Sequence, residues 1–494
     1  MHPDDRLLFE KSRPGMNAIE APRPELPKGA ESLDTASLLP AELRRQSATD
    51  LPAVGQLDLV RHYTRLSRKN FAISTTFYPL GSCTMKFNPL INETVVAEPG
   101  FADLHPYQNE DDIQGALGLV FELERYLAEI SGLPHISLHP AAGAHGELTA
   151  LMVIREHFRK IGEDDRRTVL IPDSAHGTNP ASCTLCGFKT VELKSNEDGL
   201  VDIDDLKKKI EAAGPKGIAA LMITNPNTLG LFERRIQEIA ELIHSAGGKV
   251  YMDGANLNAL MGISRPGDFG VDIMHFNLHK TFSTPHGTGG PGAGPIGVTD
   301  ELEPYLPIPR VVKDGERFRF EENRPSSIGR TRAFVGNFGV MVRAYTYIRA
   351  LGRAGIRRVG ENAVLNANYL RVLLGKHMAV AHPRLCMHEF VLTARRLAKE
   401  HGVKATDLAK RLLDSGFHPP TIYFPLIVPE ALMIEPTETE SKSTLDAFAQ
   451  AFGQIIEEAQ KNPEKLHQAP TTTPVQRMDE VRAVKQPVLR WRRG

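Results

Sequence analysis

Short, wholly apolar segments separated by amphipathic helices run through the middle of this chain, and they constrain its fold more than any other feature. The segments Thr168–Ile171, Ala219–Thr224, Lys249–Met252, Ile273–Phe276 and Pro295–Val298 read as strands. Between two of them, Ile236, Ile239, Ala240 and Ile243 recur at helical spacing before the Gly247-Gly248 stop. Uniformly apolar strands are buried on both faces, and strands that alternate with helices build βαβ units. The expected fold is therefore α/β, with a mostly parallel, doubly wound sheet. A helix is expected from Gln114 to Ser131, stopped by Gly132, and beyond about Ser327 helices take over at Val340–Leu351, Glu361–Leu374, Ala405–Ser415 and Thr444–Gln460. The expected organisation is an N-terminal arm and loop-rich segment over 1–112, a large domain over 113–326 and a smaller C-terminal α+β domain over 327–494. Residues 1 to about 65 are Pro-rich (APRPELPKG, SLLPAEL) and lack sustained periodicity. They read as an extended arm with short helices, wrapped on a neighbour rather than folded alone.

Composition removes several classes of function. The 494 residues carry 59 Lys+Arg against 60 Asp+Glu, a net charge of -1, which argues against a nucleic-acid partner. No apolar run approaches the roughly 18 residues of a membrane span. The start, MHPDDRLLFEKSRPG, has early acids and no apolar core, so no secretory signal is expected. Four cysteines are too few for a disulfide framework in so long a chain, which fits a reducing, cytoplasmic setting. Cys183 and Cys186 form a lone CxxC without a second pair, read as two small buried residues rather than a zinc site, and no metal is expected. Lys207–Lys209 read as the solvated face of a helix, and the basic tail LRWRRG with Trp491 as a frayed terminus.

Ligands of open α/β sheets gather beyond the carboxyl ends of the strands. There the chain offers PDSAHGTNPAS with His176, NPNTLG, DGAN with Asp253, and NLHKTFSTPHGTGGPGAGP with Lys280. Most lysines are solvated. One that follows a buried strand and precedes a Gly-rich loop is placed to form a Schiff base with an aldehyde, and pyridoxal phosphate is the usual one. Asp253 could cap a helix. Its place one strand upstream of Lys280 suits a carboxylate that keeps the pyridine nitrogen protonated. In HPAAGAHGE, small residues ahead of a helix let backbone N–H groups reach a phosphate; such turns are common, and the company of Lys280 and Asp253 makes this one the natural cradle. His176 could stack on the ring, although a lone loop histidine is more often structural. For Ser82, Cys83 and Thr84 in YPLGSCTMK, spacing alone favours a tight structural turn over a substrate site.

Eight segments, in order and nearly end to end, carry a resemblance: FEKSRPG, YPLGSCTMKFNP, AGAHGEL, IPDSAHGTNPAS, TNPNTLGLFE, YMDGANLNA, FNLHKTFSTPHGTGGPGAGPIGV and EPTETESKSTLDAF. With these the chain resembles the P-protein family of the glycine cleavage system, fold-type I enzymes dependent on pyridoxal 5'-phosphate. Its length and RPG-type start look like the separate second subunit, the half that carries the cofactor lysine. The resemblance implies glycine dehydrogenase (aminomethyl-transferring) activity, in which glycine is decarboxylated and the remaining aminomethyl group passes to the lipoyl group of H-protein. It implies two partners, lipoylated H-protein and glycine dehydrogenase subunit 1, the latter in an α2β2 assembly. It also implies Lys280 as the Schiff-base lysine, Asp253 on the pyridine nitrogen and His176 on the ring face. Ala142, Gly143 and Ala144 would hold the phosphate, Thr228 would donate to the ring hydroxyl, and Ala255 and His279 would be further cofactor contacts. The loop His286–Gly290 would flank the phosphate or the lipoyl entrance, and Ser82, Cys83 and Thr84 move toward the glycine carboxylate or the lipoyl channel.

Two alternatives accompany this reading. Another fold-type I decarboxylase or an aminotransferase would use an arginine for the substrate carboxylate, for which Arg330 and Arg332 stand as candidates. A non-catalytic scaffold subunit would not need Lys280 and Asp253. The resemblance implies a lipoyl disulfide rather than a nicotinamide as the oxidant, and consistently no GxGxxG follows any strand.

Overall fold

The structure is a computed structural model that describes residues 6–17, 19, 39–47, 49–286 and 292–490. The chain divides into two compact units, Met1–Phe71 and Ala72–Gly494. In the first unit, Arg13 N donates to Ala53 O (2.8 Å) and Ala53 N to Ser12 Oγ (2.9 Å), which ties the segment after the helix Leu8–Lys11 to the one before the helix Gln56–Arg68. That second helix corrects the reading of residues 1 to about 65 as lacking periodicity. Leu57, Val60, Tyr63 and Leu66 recur every third residue, a helical row obscured in the sequence by the Pro-rich stretch before it. The APRPELPKG segment and Trp491 lie outside the described residues.

The second unit is built on a seven-stranded sheet. Its strands are β1 His135–Ser137, β2 Thr168–Pro172, β3 Lys189–Leu193, β4 Ile218–Thr224, β5 Lys249–Gly254, β6 Ile273–Phe276 and β7 Ile296–Val298. They lie in the order β1-β7-β6-β5-β4-β2-β3. β2 to β6 are parallel, and β7 runs antiparallel between β6 and β1. Every residue of β4, β5 and β6 is buried, as both-face coverage demands. One face packs the helices Gln114–Ser131 and Ile236–Ser245; the other packs Gly143–Lys160. Two strands were not foreseen for opposite reasons. β1 has only three residues, and β3 (KTVEL) is an edge strand half open to solvent, so it lacks an apolar run.

Beyond β7, the hairpin β8 Arg310–Asp314 and β9 Arg317–Glu321 precedes the helical run Phe338–Leu374. It is two helices that meet at a kink at Gly352, where the backbone leaves helical geometry (φ 61°, ψ -179°), as the two expected at Val340–Leu351 and Glu361–Leu374 require, with the second beginning earlier than expected. A four-stranded antiparallel sheet follows, formed by β10 Ala379–Val380, β11 Phe390–Thr393, β12 Thr421–Ile422 and β13 Ala431–Ile434, in the order β10-β11-β13-β12. Its core is shared with Leu445, Phe448 and Phe452 of the helix Lys442–Lys461. Among the described residues no helix is long and apolar enough to cross a membrane.

Two short contacts join this small sheet to the end of the large one. Leu80 forms an antiparallel bridge with Ile434, and Thr421 Oγ1 donates to Gly81 O (2.8 Å), so segment 79–84 lies along β12 and β13. On the other side, Met387 N donates to Gly230 O (2.7 Å). Gly230 has φ 75°, and a Cβ there would stand 1.8 Å from Glu389 O. Gly230→Ala is expected to lower stability by about 3 kcal/mol, since the backbone of β11's leading residue must move. Gly315→Ala, at φ 61° in the β8–β9 turn with nothing within 4 Å, is expected to cost only about 1 kcal/mol. Paired thermal or chemical denaturation checks this, and equal losses would contradict it.

Candidate active site

The carboxyl ends of β2, β4, β5 and β6 are adjacent in the sheet, so the loops after them open onto one place. Asp253 ends β5, buried, with Thr224 opposite on β4 and His275 opposite on β6. Its Oδ1 accepts the Ala255 N–H (2.9 Å) and lies 3.4 Å from His275 Nε2, while Oδ2 accepts from Asn179 Nδ2 (3.3 Å). His275 Nδ1 is in turn 2.6 Å from Tyr251 Oη. Burial alone pushes the Asp253 carboxyl up, but His275, the Ala255 N–H, Lys280 and Asn179 outweigh it and hold the group below its ordinary value. Asp253 is an ionised carboxylate in a nearly dry setting. Ala255, expected as a cofactor contact, acts here by fixing that carboxylate.

Lys280 follows β6, and its Nζ donates to Ser82 O at 2.9 Å. The turn that spacing alone made structural is therefore brought directly onto the candidate Schiff-base amine. Ser82 has φ 60°, its N–H donates to Glu389 Oε2 (2.8 Å), and Thr84 Oγ1 donates to Glu435 Oε1 (2.6 Å). Burial pushes the Cys83 thiol up, opposed by Lys280 and reinforced by Glu435 and Glu389.

Ala142 is the extended N-cap of the helix Gly143–Lys160, whose first N–H groups point out of the helix end. Space there is tight. A Cβ on Gly143 would come 2.7 Å from Asn277 Nδ2, and one on Gly294 would come 2.0 Å from Ala142 O. Thr281 Oγ1, a hydroxyl on the segment that carries Lys280, is buried without a partner and can donate. A helix N-terminus with small residues, that hydroxyl, an ionised carboxylate and an amine between them match the phosphate, pyridinium nitrogen and aldehyde of pyridoxal phosphate in charge and donor type. His279 braces this cradle: its Nδ1 accepts the Ala293 N–H (3.3 Å) and Nε2 lies 3.5 Å from Asn277 Nδ2. Burial, then Lys280 and His286, push it down to about 3, so it stays neutral. Residues 287–290 of the expected flanking loop lie outside the described residues.

His176 lies near Asp253 and Lys280, close enough to feel the charge of both, with Nδ1 3.0 Å from Thr178 Oγ1 and its ring edge-on to Phe424. Thr228 is buried and donates its hydroxyl proton to Ser174 O (2.6 Å), which leaves its oxygen rather than its proton for a ligand. Arg330 pairs with Glu322 (2.6 Å). Arg332 donates to Asn337 Oδ1 (2.7 Å), and Asn337 donates to Ala141 O and Gly292 O, which ties this arginine to the rim of the cradle.

Sequence reasoning missed several neighbours. Glu147 accepts from Thr178 Oγ1 (2.8 Å) and Ser182 Oγ (3.3 Å). Burial and then Asp253 push its carboxyl up to about 7. Lys86 Nζ donates to Asn258 Oδ1 (2.9 Å), Tyr347 Oη (3.1 Å) and Glu438 Oε1 (2.8 Å), a buried ion pair with its hydrogen bonds filled. A histidine inside the apolar run IMHF was the available signal for His275; Glu389 and Glu435 carry none, because they are set by strand pairing.

Comparison with known proteins places the chain in a family. The family described as "Glycine cleavage system P-protein" matches residues 27–318, and "Glycine dehydrogenase, C-terminal domain" matches residues 359–476. A probable glycine dehydrogenase (decarboxylating) subunit 2 from Caldanaerobacter subterraneus subsp. tengcongensis is 55% identical over 486 residues, covering 98% of each chain. Its counterpart from Halalkalibacterium halodurans is 55% identical over 491 residues, covering 99% of each. A crystal structure of a glycine decarboxylase, the P-protein of the glycine cleavage system, superposes with a TM-score of 0.71 at 22% identity over 87% of this chain and 96% of that one. A sphingosine-1-phosphate lyase from Burkholderia pseudomallei superposes at 0.60 with 16% identity, over 85% and 94% of the two chains. The architecture is the α/β fold of the fold-type I enzymes. The chain belongs to the glycine cleavage system P-protein family.

Proposed function

We propose that this chain decarboxylates glycine with pyridoxal 5'-phosphate held at Lys280 and hands the remaining aminomethyl group to the lipoyl group of H-protein. The convergence of Lys280, the ionised Asp253 and the Gly143–Lys160 helix N-terminus, in a member of this family, carries the reading. When bound, pyridoxal phosphate supplies an electron sink that lets glycine lose CO2 with the bonding pair left on its carbon, and the lipoyl disulfide accepts that carbon and pair as its S–S bond breaks. The chain's own residues do the rest. Asp253 keeps a negative charge against the pyridine nitrogen, where His275 and the Ala255 N–H hold it in place. The N–H groups of Gly143 and Ala144 would hold the phosphate in the field of the helix end, with Ala142 as the helix cap. His176 would cover the ring, Thr228 would offer its oxygen to the ring hydroxyl, and His279 braces Asn277 and Ala293 beside the cradle.

Ser82, Cys83 and Thr84 are proposed to line the glycine side of Lys280, a reading supported by the 2.9 Å bond from Lys280 Nζ to Ser82 O. The relatives' names, which number them subunit 2, support a partner subunit 1, and the resemblance implies that the two form an α2β2 assembly. Four unpaired thiols support a cytoplasmic setting.

With the partner subunit and lipoylated H-protein present, Lys280→Ala is expected to show no exchange of CO2 with glycine and no visible absorbance of lysine-bound cofactor. Retained exchange would contradict the assignment. Asp253→Asn is expected to keep the cofactor but lower turnover roughly a hundred- to thousand-fold, the order of losing one preorganised charge; an unchanged kcat would rule out its role. Glu147 is neutral below about 7 and ionises above it, adding a second negative charge beside Asp253. A step near that pH in the activity profile is therefore expected for the unaltered chain and absent in Glu147→Gln.

A further inference from the structure

The pairing of β11 with β13 sets Phe390 opposite Ile434. One step beyond the ladder, Glu389 and Glu435 therefore stand opposite each other, as directly facing residues of antiparallel strands do. Both are buried, at 0% and 1% exposure. One ligand atom each of Glu389, Glu435 and the neighbouring His388 lie within 4.8 Å of one another. Two carboxyls so placed, away from water, are not both charged at moderate cost, so at least one of them is held protonated. Glu435 Oε2 is buried without a partner, and a bare anion there would be costly.

Every other contact of the pair runs to the turn that faces Lys280 or to fixed neutral groups. Glu389 Oε2 accepts the Ser82 N–H (2.8 Å), Glu389 Oε1 accepts from Asn256 Nδ2 (3.4 Å), and Glu435 Oε1 accepts from Thr84 Oγ1 (2.6 Å). The charged or titratable groups that face the pair are Lys280, Cys83 from the turn, Glu438 from the same strand end and His388. Glu438 is neutralised by Lys86 at 2.8 Å, and burial pushes His388 down to about 3, so neither supplies a compensating charge. Ser82 sits at φ 60°, a conformation that costs on the order of 1–3 kcal/mol in a non-glycine residue and persists only when its surroundings hold it.

We propose that Glu389 and Glu435, which cannot both ionise cheaply in so dry a place, clamp the Ser82–Thr84 turn so that the Ser82 carbonyl stays on the Lys280 amine, and that ionisation of both carboxyls drives the pair apart and frees the lysine. Both are positioning residues that act through Ser82 and Thr84. The clamp rests on the reading of Lys280 as the cofactor lysine for its purpose, although not for its existence. Burial, with repulsion from Glu389, raises Glu435 well above its ordinary value, and burial raises Glu389 to about 7. Below pH 4.5 both groups are protonated whether the chain is folded or not, so they exact no stability cost. As pH rises from there the unfolded chain ionises first, and the fold loses stability until the pair itself ionises.

Glu435→Gln keeps the acceptor for Thr84 and mimics the protonated acid, so it removes this loss. The melting temperature of Glu435→Gln minus that of the unaltered chain is expected to grow by about 3 °C between roughly pH 5 and pH 8. Glu389→Gln, which reads the pair from its other member, is expected to show a rise of the same sign. A second arm follows capture of added pyridoxal phosphate by the cofactor-free chain, fixed by borohydride and located by peptide mass spectrometry. Its rate is expected to change in a step on the alkaline side of neutrality in the unaltered chain, with that step absent in Glu435→Gln. Melting differences that do not vary with pH, or superimposable capture profiles, would overturn the clamp. The thermal arm needs no cofactor, so failure of Lys280 to capture any would count against the lysine assignment and leave the clamp to be judged by melting alone.

Discussion

Keeping one carboxylate charged where almost no water reaches it is the constraint around which this structure is organised. Asp253 ends a strand with every residue buried, and an unpaired ion there would be prohibitively unfavourable. His275 from the next strand, the Ala255 N–H from the following turn, Asn179 from a third element and Lys280 together hold the charge. The parallel register that sets Asp253 beside His275 is therefore as much a part of the site as the carboxylate itself. A nearby carboxyl shows how much these partners matter. Glu147, also buried but bonded only to the hydroxyls of Thr178 and Ser182 and facing Asp253's charge, is pushed the other way, to about 7.

Two sheets supply this site, and each contributes what the other cannot. The large sheet delivers Asp253 from within β5, Lys280 from the loop after β6 and the helix N-terminus from the loop after β1. The small antiparallel sheet delivers a pair of buried acids and, through the Leu80–Ile434 bridge, the turn whose carbonyl meets Lys280. Gly230 and Glu389 pass within a distance no side chain tolerates, so β4's loop and β11 are fixed together. Small displacements of the C-terminal sheet are thereby felt at the lysine.

Much of this was legible in the sequence, for a physical reason. The central strands are buried on both faces, which forces them to be apolar throughout, and Ile273–Phe276 emerged with the same bounds it has in the structure. The helix Gln114–Ser131 and its Gly132 stop were equally plain. Edge and short strands lack that pressure, and β3 and β1 went unseen. The break between the two helices that meet at Gly352 was legible too, because glycine there takes a backbone conformation no helix contains. In the site, position at strand ends made Asp253, Lys280 and His176 candidates. Glu389 and Glu435 could not, because their meeting depends on the register of β11 against β13, which no local pattern encodes. Ser82 was undervalued for the same reason: its neighbour Lys280 is 198 residues away in the chain.

In the proposed reaction a buried, ionised Asp253 near the end of β5 would hold a protonated pyridine nitrogen. Nitrogen NMR of the chain loaded with pyridoxal phosphate labelled at its ring nitrogen tests it most directly. The account predicts a pyridinium resonance that persists through neutral pH and above the pyridine's ordinary titration. A neutral pyridine resonance at neutral pH in the unaltered chain would contradict it.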